Sequence, residues 1–339
     1  LNEHTSGNFI MKIIALEEHV VPRPISEAWI RTAERQDRSV GYSPKHLTSR
    51  LEDLDRLRLS EMADCGIDMQ VLSLPGPAFQ NFEPNEAIAL AREFNDSLAS
   101  TVARRPDKFE AFASLPMPSP EDAASELERA VQRLGMQGAL LCGRTGRRHM
   151  DDRRFDPVYA TAERLRAPLY IHPQMPPADV MDAYYTGFEP VAEFMLATAG
   201  IGWHYEAGLE FLRMIMGGVF DRFPNLQVML GHWGEVVLFY LDRIALLDKA
   251  GLKLERPLRE YFQQNAYYTP SGIFSQKYLQ WTIAEVGVER IIFSQDYPYQ
   301  MSASGRARAF LEEAVISQHD KEGIAHRNWE NLTRRIIRQ

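Results

Sequence analysis

Only two cysteines occur in 339 residues, Cys65 and Cys142, and neither sits in a paired metal motif. A disulfide framework is thereby excluded, and a reducing, cytoplasmic setting is the plain expectation. No apolar run approaches the length that crosses a bilayer, so no membrane association is expected. Positive charge is in short supply. Against 46 Asp and Glu stand 38 Lys and Arg, a formal net charge of -8, which argues against a nucleic-acid partner. Residues 1–10 lack the apolar segment of a signal peptide. They read as an N-terminal extension or a cloning remnant ahead of Met11, with 11–339 as one domain. A glycine-rich phosphate loop is missing after the first apolar run, which removes the main support for dinucleotide binding.

What the chain does have is alternation. Short β-rich runs fall at about 12–17, 69–74, 109–115, 138–142, 168–172, 226–232, 266–269 and 290–296. Between them lie helical patterns at about 51–64 (ended by Gly66), 84–104, 119 onward, 157–166, 190–199, 205–217, 234–249 and 275–286. Two more, at 304–317 and 321–337, close the chain. Stretches 20–50 and 173–190 are polar and irregular and read as insertions after the first and fifth strands. Eight strands alternating with helices over this length predict an α/β fold, a (β/α)8 TIM barrel with insertions.

Such a barrel carries its chemistry at the C-terminal ends of its strands. Glu17 and His19 end the first run and share a face by strand alternation, with Glu18 on the other face. His172 ends the fifth run, His232 the sixth, ahead of Trp233-Gly234-Glu235, and Asp296 the last, ahead of Tyr297-Pro298-Tyr299. Singly, each has an ordinary structural role: a strand running out into solvent, a loop histidine, a turn-starting aspartate. A barrel gathers all these ends at one mouth, where carboxylates and imidazoles suit one divalent metal. His204, in the second insertion, could add to the pocket.

The motifs Ala15-Leu16-Glu17-Glu18-His19, Tyr170-Ile171-His172-Pro173, Leu230-Gly231-His232-Trp233-Gly234-Glu235 and Phe293-Ser294-Gln295-Asp296-Tyr297-Pro298 resemble those of the amidohydrolase superfamily. The resemblance covers the chain from Met11 onward. Glu17-x-His19 replaces the His-x-His of the hydrolases and is similar to the branch of γ-resorcylate, 2,3-dihydroxybenzoate and 5-carboxyvanillate decarboxylases. That resemblance implies one divalent ion, Zn²⁺ or Mn²⁺, on Glu17, His19, His172 and Asp296, with His232 orienting substrate or handling a proton. It further implies that Arg243 and Arg58 face substrate oxygens, and that the protein forms a homodimer or homotetramer. Cys142 stands where the family commonly has an Asn that shapes the pocket.

The reaction implied is nonoxidative decarboxylation of a hydroxylated aromatic acid, a small aromatic carboxylate, to CO₂ and a phenol. Asp296 would protonate the ring carbon, which requires a carboxyl that a crowded acidic pocket has raised. Trp203, Trp233, Tyr297 and Tyr299 are candidates to wall the ring. A lactone or amide hydrolase, or a hydratase, is the alternative within the superfamily; a barrel that binds aromatic acids without turnover is the alternative outside enzymes.

Overall fold

A computed structural model describes residues 11–35, 45–300 and 305–339. Its strands are β1 Ile14–His19, β2 Met69–Ser73, β3 Phe109–Ala111, β4 Ala113–Ser114, β5 Ala139–Cys142, β6 Leu169–His172, β7 Val228–Leu230 and β8 Ala266–Tyr268. Every neighbouring pair is parallel, in two ladders ordered β1-β2-β3 and β4-β5-β6-β7-β8. The two ladders meet at Phe112, where the third expected strand is interrupted. The ring closes through residues 291–294: Tyr268 bridges Ile291, and Leu16 bridges Ser294. The eighth expected strand is thus a bridging segment rather than a regular strand. It still fills the barrel position, so the architecture is the (β/α)8 barrel.

The helices follow their sequence signals where those are local. Pro84 opens helix Pro84–Arg104 and Pro120 opens Pro120–Gln132, each where a missing N–H costs nothing. Gly66, at φ 72°, ends Arg56–Cys65 in the left-handed turn that glycine tolerates. The second insertion is not wholly irregular, since Ala178–Tyr184 is a helix, and 321–337 divides into Gln318–Glu322, Gly323–Arg327 and Asn328–Thr333; three further expectations need correction. First, 20–50 is not wholly irregular: Arg23–Arg35 is a helix whose Ile25, Ala28, Trp29 and Thr32 are buried. That i, i+3, i+4, i+7 stripe packs onto the core, and the Trp29 indole donates to the Ala78 carbonyl at 2.7 Å. Second, 51–64 is two helices, Thr48–Glu52 and Arg56–Cys65, broken at Asp53, which is extended at ψ 122°. Third, 234–249 is not one helix. Trp233, Gly234, Glu235 and Val236 have positive φ, and the chain continues in short turns over Leu238–Tyr240, Leu241–Ile244 and Ala245–Lys249. Helix Leu258–Gln264 had no counterpart in the sequence pattern. Among the described residues, no helix is long and apolar enough to cross a membrane.

Candidate metal centre and active site

β1 delivers Glu17 and His19 by an unexpected route. Its register shifts between Ala15 and Glu18, and Glu17 sits at φ 63°, so a bulge rather than simple alternation aims the carboxylate inward. His232 at φ 48° and Asp296 at φ 62° share this strained backbone, which packing must hold in place. The first strand does not run out into solvent: Glu17, Glu18 and His19 are all fully buried.

The imidazoles of His19 and His172 approach Nε2 to Nε2 at 3.3 Å. His172 Nδ1 donates to the Pro173 carbonyl at 2.7 Å, so its Nε2 carries a lone pair. Burial and the neighbouring His19 hold its pKa down to about 3, which keeps it a neutral ligand. Glu17 Oε2 accepts from the Tyr170 hydroxyl at 2.6 Å and from Ser271. Its Oε1 is buried without a partner, 3.7 Å from His172 Nε2. Asp296 Oδ1 lies 3.3 Å from His19 Nε2, and Oδ2 lies 3.8 Å from His232 Nε2. Glu17, His19 and His172 can therefore bind one divalent ion, with Asp296 beside them, and the orphaned Glu17 oxygen fits that ion. Burial pushes the Glu17 carboxyl up to about 8, so a cation must displace its proton.

A second group adjoins the first. Glu235, fully buried, accepts from His232 Nδ1 on Oε1 and His204 Nδ1 on Oε2, each at 2.8 Å. The His204 and His232 rings are 4.3 Å apart. Burial alone would raise the Glu235 carboxyl, but the two imidazoles outweigh it and hold it down to about 2. Burial likewise opposes charge on His232, yet Glu235, Glu17 and Asp296 push it well above the ordinary imidazole value. Asp296 goes the other way from expectation. Burial raises it, but His19 and His232 outweigh burial and leave it below the usual carboxylate range. Crowding by acids does not keep it protonated, because imidazoles face both of its oxygens.

His172, His232, Asp296, His204, Trp203 and Tyr299 all line one cavity of about 270 Å³. Within a single chain, two of the expected substrate contacts, Arg58 and Arg243, do not line this cavity. Arg58 is fully buried, and its guanidinium donates to the carbonyls of His19 (2.5 Å), Asp53 (3.0 Å) and Arg50 (3.2 Å) and to Gln70 Oε1 (3.1 Å). It also lies 4.3 Å over the Tyr297 ring, so it braces the first and last strand ends from behind. Arg243 is exposed and off the cavity, because the broken segment after His232 leads it along the surface. Nor do Trp233 and Tyr297 wall the cavity. Trp233 donates to the Ile273 carbonyl, and the Tyr297 hydroxyl donates to Glu61. Sequence reasoning missed Tyr170, Ser271 and Ser73, which bond Glu17 and His19. Tyr170 was findable, two residues before His172 on the same strand face. His232-x-x-Glu235 is likewise a spacing that a sequence offers.

A tautomer-locked imidazole and an orphaned carboxylate oxygen meeting at a barrel mouth define the class: a metal-dependent enzyme on an α/β barrel. Residues 43–332 match the model of the amidohydrolase family, and the chain belongs to that family. Within it, the chain falls in the aromatic-acid decarboxylase branch of carboxy-lyases. The γ-resorcylate decarboxylase of Polaromonas sp. is 34% identical over 94% of this chain and 97% of its own length. The 5-carboxyvanillate decarboxylase structure from Sphingomonas paucimobilis superposes with a TM-score of 0.87 at 32% identity, over 96% of this chain and 100% of that one. The Novosphingobium aromaticivorans enzyme of the same name, solved with manganese and 4-hydroxy-3-methoxy-5-nitrobenzoic acid, gives 0.88 at 29% identity, over 95% and 96%.

Proposed function

We infer that this protein releases CO₂ from a hydroxylated aromatic carboxylic acid and leaves a phenol. The observation that carries this reading is the split carboxylate of Asp296, one oxygen toward the ligand cluster and the other toward a charged imidazole. The cavity of about 270 Å³ suits a single substituted ring. Glu17, His19, His172 and Asp296 would hold a divalent ion, which would supply Lewis-acid charge to the substrate's oxygens. Two carboxylates and two imidazoles suit Mn²⁺ as well as Zn²⁺.

Asp296 starts the cycle ionised and is supplied with a proton by His232, whose charge Glu235 sustains. Asp296 hands that proton to the ring carbon that bears the carboxylate. The carbon–carbon bond then breaks, its electrons return to the ring, and CO₂ leaves. Solvent restores the proton on His232. Trp203 and Tyr299 flank the ring. The test is turnover of a panel of ortho-hydroxy and methoxy-hydroxy benzoates by metal-analysed protein, reading CO₂ and the ring product together. CO₂ release in step with phenol is expected. Cleavage of lactones or amides with no CO₂ from any benzoate would overturn the reading in favour of a hydrolase.

A second copy of this chain belongs to the same reading. Tyr184, Phe188 and Val191 are 75%, 61% and 76% exposed on the insertion above the barrel. Met195 and Tyr205 extend that apolar surface, and Met195 also lines the cavity. A homodimer or homotetramer would cover it. Sedimentation at micromolar concentration is expected to give a multiple of the 38.8 kDa chain mass; a monomer would rule the assembly out.

A further inference from the structure

Gln174 is the side chain the reaction does not use. It lines the cavity, is only 4% exposed, and neither its amide oxygen nor its amide nitrogen has a hydrogen-bond partner. Buried amides are nearly always paired, and an unpaired one destabilises the free protein. Nor is the residue loosely placed. On one side Pro173 accepts from His172 Nδ1 at 2.7 Å, and on the other Met175 accepts from Arg144 at 2.9 Å. Gly143, at φ 55°, makes room: a Cβ there would come within 3.1 Å of the Gln174 Oε1. Cys142, which pairs with His172 across β5 and β6, offers only a thiol that burial keeps protonated.

We propose that Gln174 is a specificity-determining residue, whose carboxamide pairs with a neutral hydroxyl on the substrate ring beyond the one ortho to the carboxylate. An amide offers one donor and one acceptor group, and a hydroxyl is the ring substituent that answers both. The position fits. Gln174 follows the metal ligand His172 by two residues, a span of at most about 7 Å, comparable to the width of a substituted benzene ring. His172 and Gln174 line the same cavity, so a ring that a metal at His172 would hold by carboxylate and ortho oxygen would have its far substituents within reach of this amide. A carboxylate or sulfonate there would set an anion against the amide oxygen, with no Lys or Arg among the described residues that line the cavity.

The inference rests on the decarboxylase reading, and the test separates the two. Metal-loaded wild type, Gln174→Leu and Gln174→Met are compared on 2-hydroxybenzoate and on dihydroxybenzoates that keep its ortho hydroxyl. Calorimetric affinity for the matching phenols is measured in parallel. The wild type is expected to favour the best dihydroxy substrate by about tenfold in kcat/KM, and both variants to collapse that ratio toward one. The affinity ratio for dihydroxy over monohydroxy phenol should fall with it. Both variants should also melt higher than wild type, because they remove the unpaired amide, the reverse of what losing a structural contact would do. A ratio retained in both variants overturns the proposal, whatever the melting temperatures. If no benzoate releases CO₂, the decarboxylase reading fails, and the phenol affinity ratio still decides the role of Gln174.

Discussion

Asp296→Asn is expected to lower turnover by about 10³-fold while the protein stays folded and binds metal. The substitution is nearly isosteric at a buried residue, so the cavity keeps its shape. The amide oxygen can still face His19 and the ligand cluster. What it cannot do is carry a proton from His232 to carbon. Loss of one negative ligand weakens metal binding, so the comparison is made with saturating Mn²⁺ and with metal content measured on both proteins. The proton step has its own readout. In D₂O the wild type should exchange the ring hydrogen of the phenol product at the position the carboxylate leaves, without CO₂. The variant should not. Near-normal turnover or undiminished exchange in metal-loaded Asp296→Asn would remove Asp296 from the proton path.

The positions that were legible in the sequence are those fixed by chain-local physics. Apolar runs gave the strand positions, and a barrel with its chemistry at one end then brought Glu17, His19, His172, His232 and Asp296 together. The helix expected at 84–104 forms over Pro84–Arg104 because its start signal and its apolar stripe are both local. Where long-range contacts decide, the reading failed. Pro22 and Pro24 made 20–50 look irregular, yet the second proline sits in the first turn of a helix, where it is tolerated. The family resemblance implied a substrate contact for Arg58, at Arg58-Leu59-Ser60-Glu61-Met62. Only the fold shows the carbonyls of Asp53, Arg50 and His19 converging on it. The break after His232 depends on positive φ at Trp233, Glu235 and Val236, residues with no intrinsic preference for it. Tertiary packing imposes that turn, and it is the turn that points Glu235 at two imidazoles.

Glu235→Gln tests that turn, and is expected to cut turnover by about 10²-fold while metal content stays at the wild-type level. Glu235 bonds His232 and His204, neither of them among the expected metal ligands, so its loss separates proton handling from metal binding. A glutamine amide can satisfy one imidazole N–H with its oxygen, but turns a second donor toward the other. The sign of the pH effect follows from the charges. In the wild type His232 stays protonated well above the ordinary imidazole range, because Glu235, Glu17 and Asp296 together outweigh burial, with Glu235 the largest of the three. Without that carboxylate the largest opposing charge is gone and burial is less fully offset, so activity that needs the charged ring declines as pH rises through lower values than in the wild type. Stability moves at the acidic end. Glu235 is depressed from 4.5 to about 2, so its contribution is fully present above 4.5 and is lost as pH falls toward 2. That contribution is on the order of 3 kcal/mol at neutral pH. Wild type should therefore melt higher than the variant at neutral pH, with the gap closing on acidification. Melting curves across that range, beside kcat profiles, check both signs at once. An unchanged kcat profile would show that Glu235 holds the turn together without setting the proton on His232.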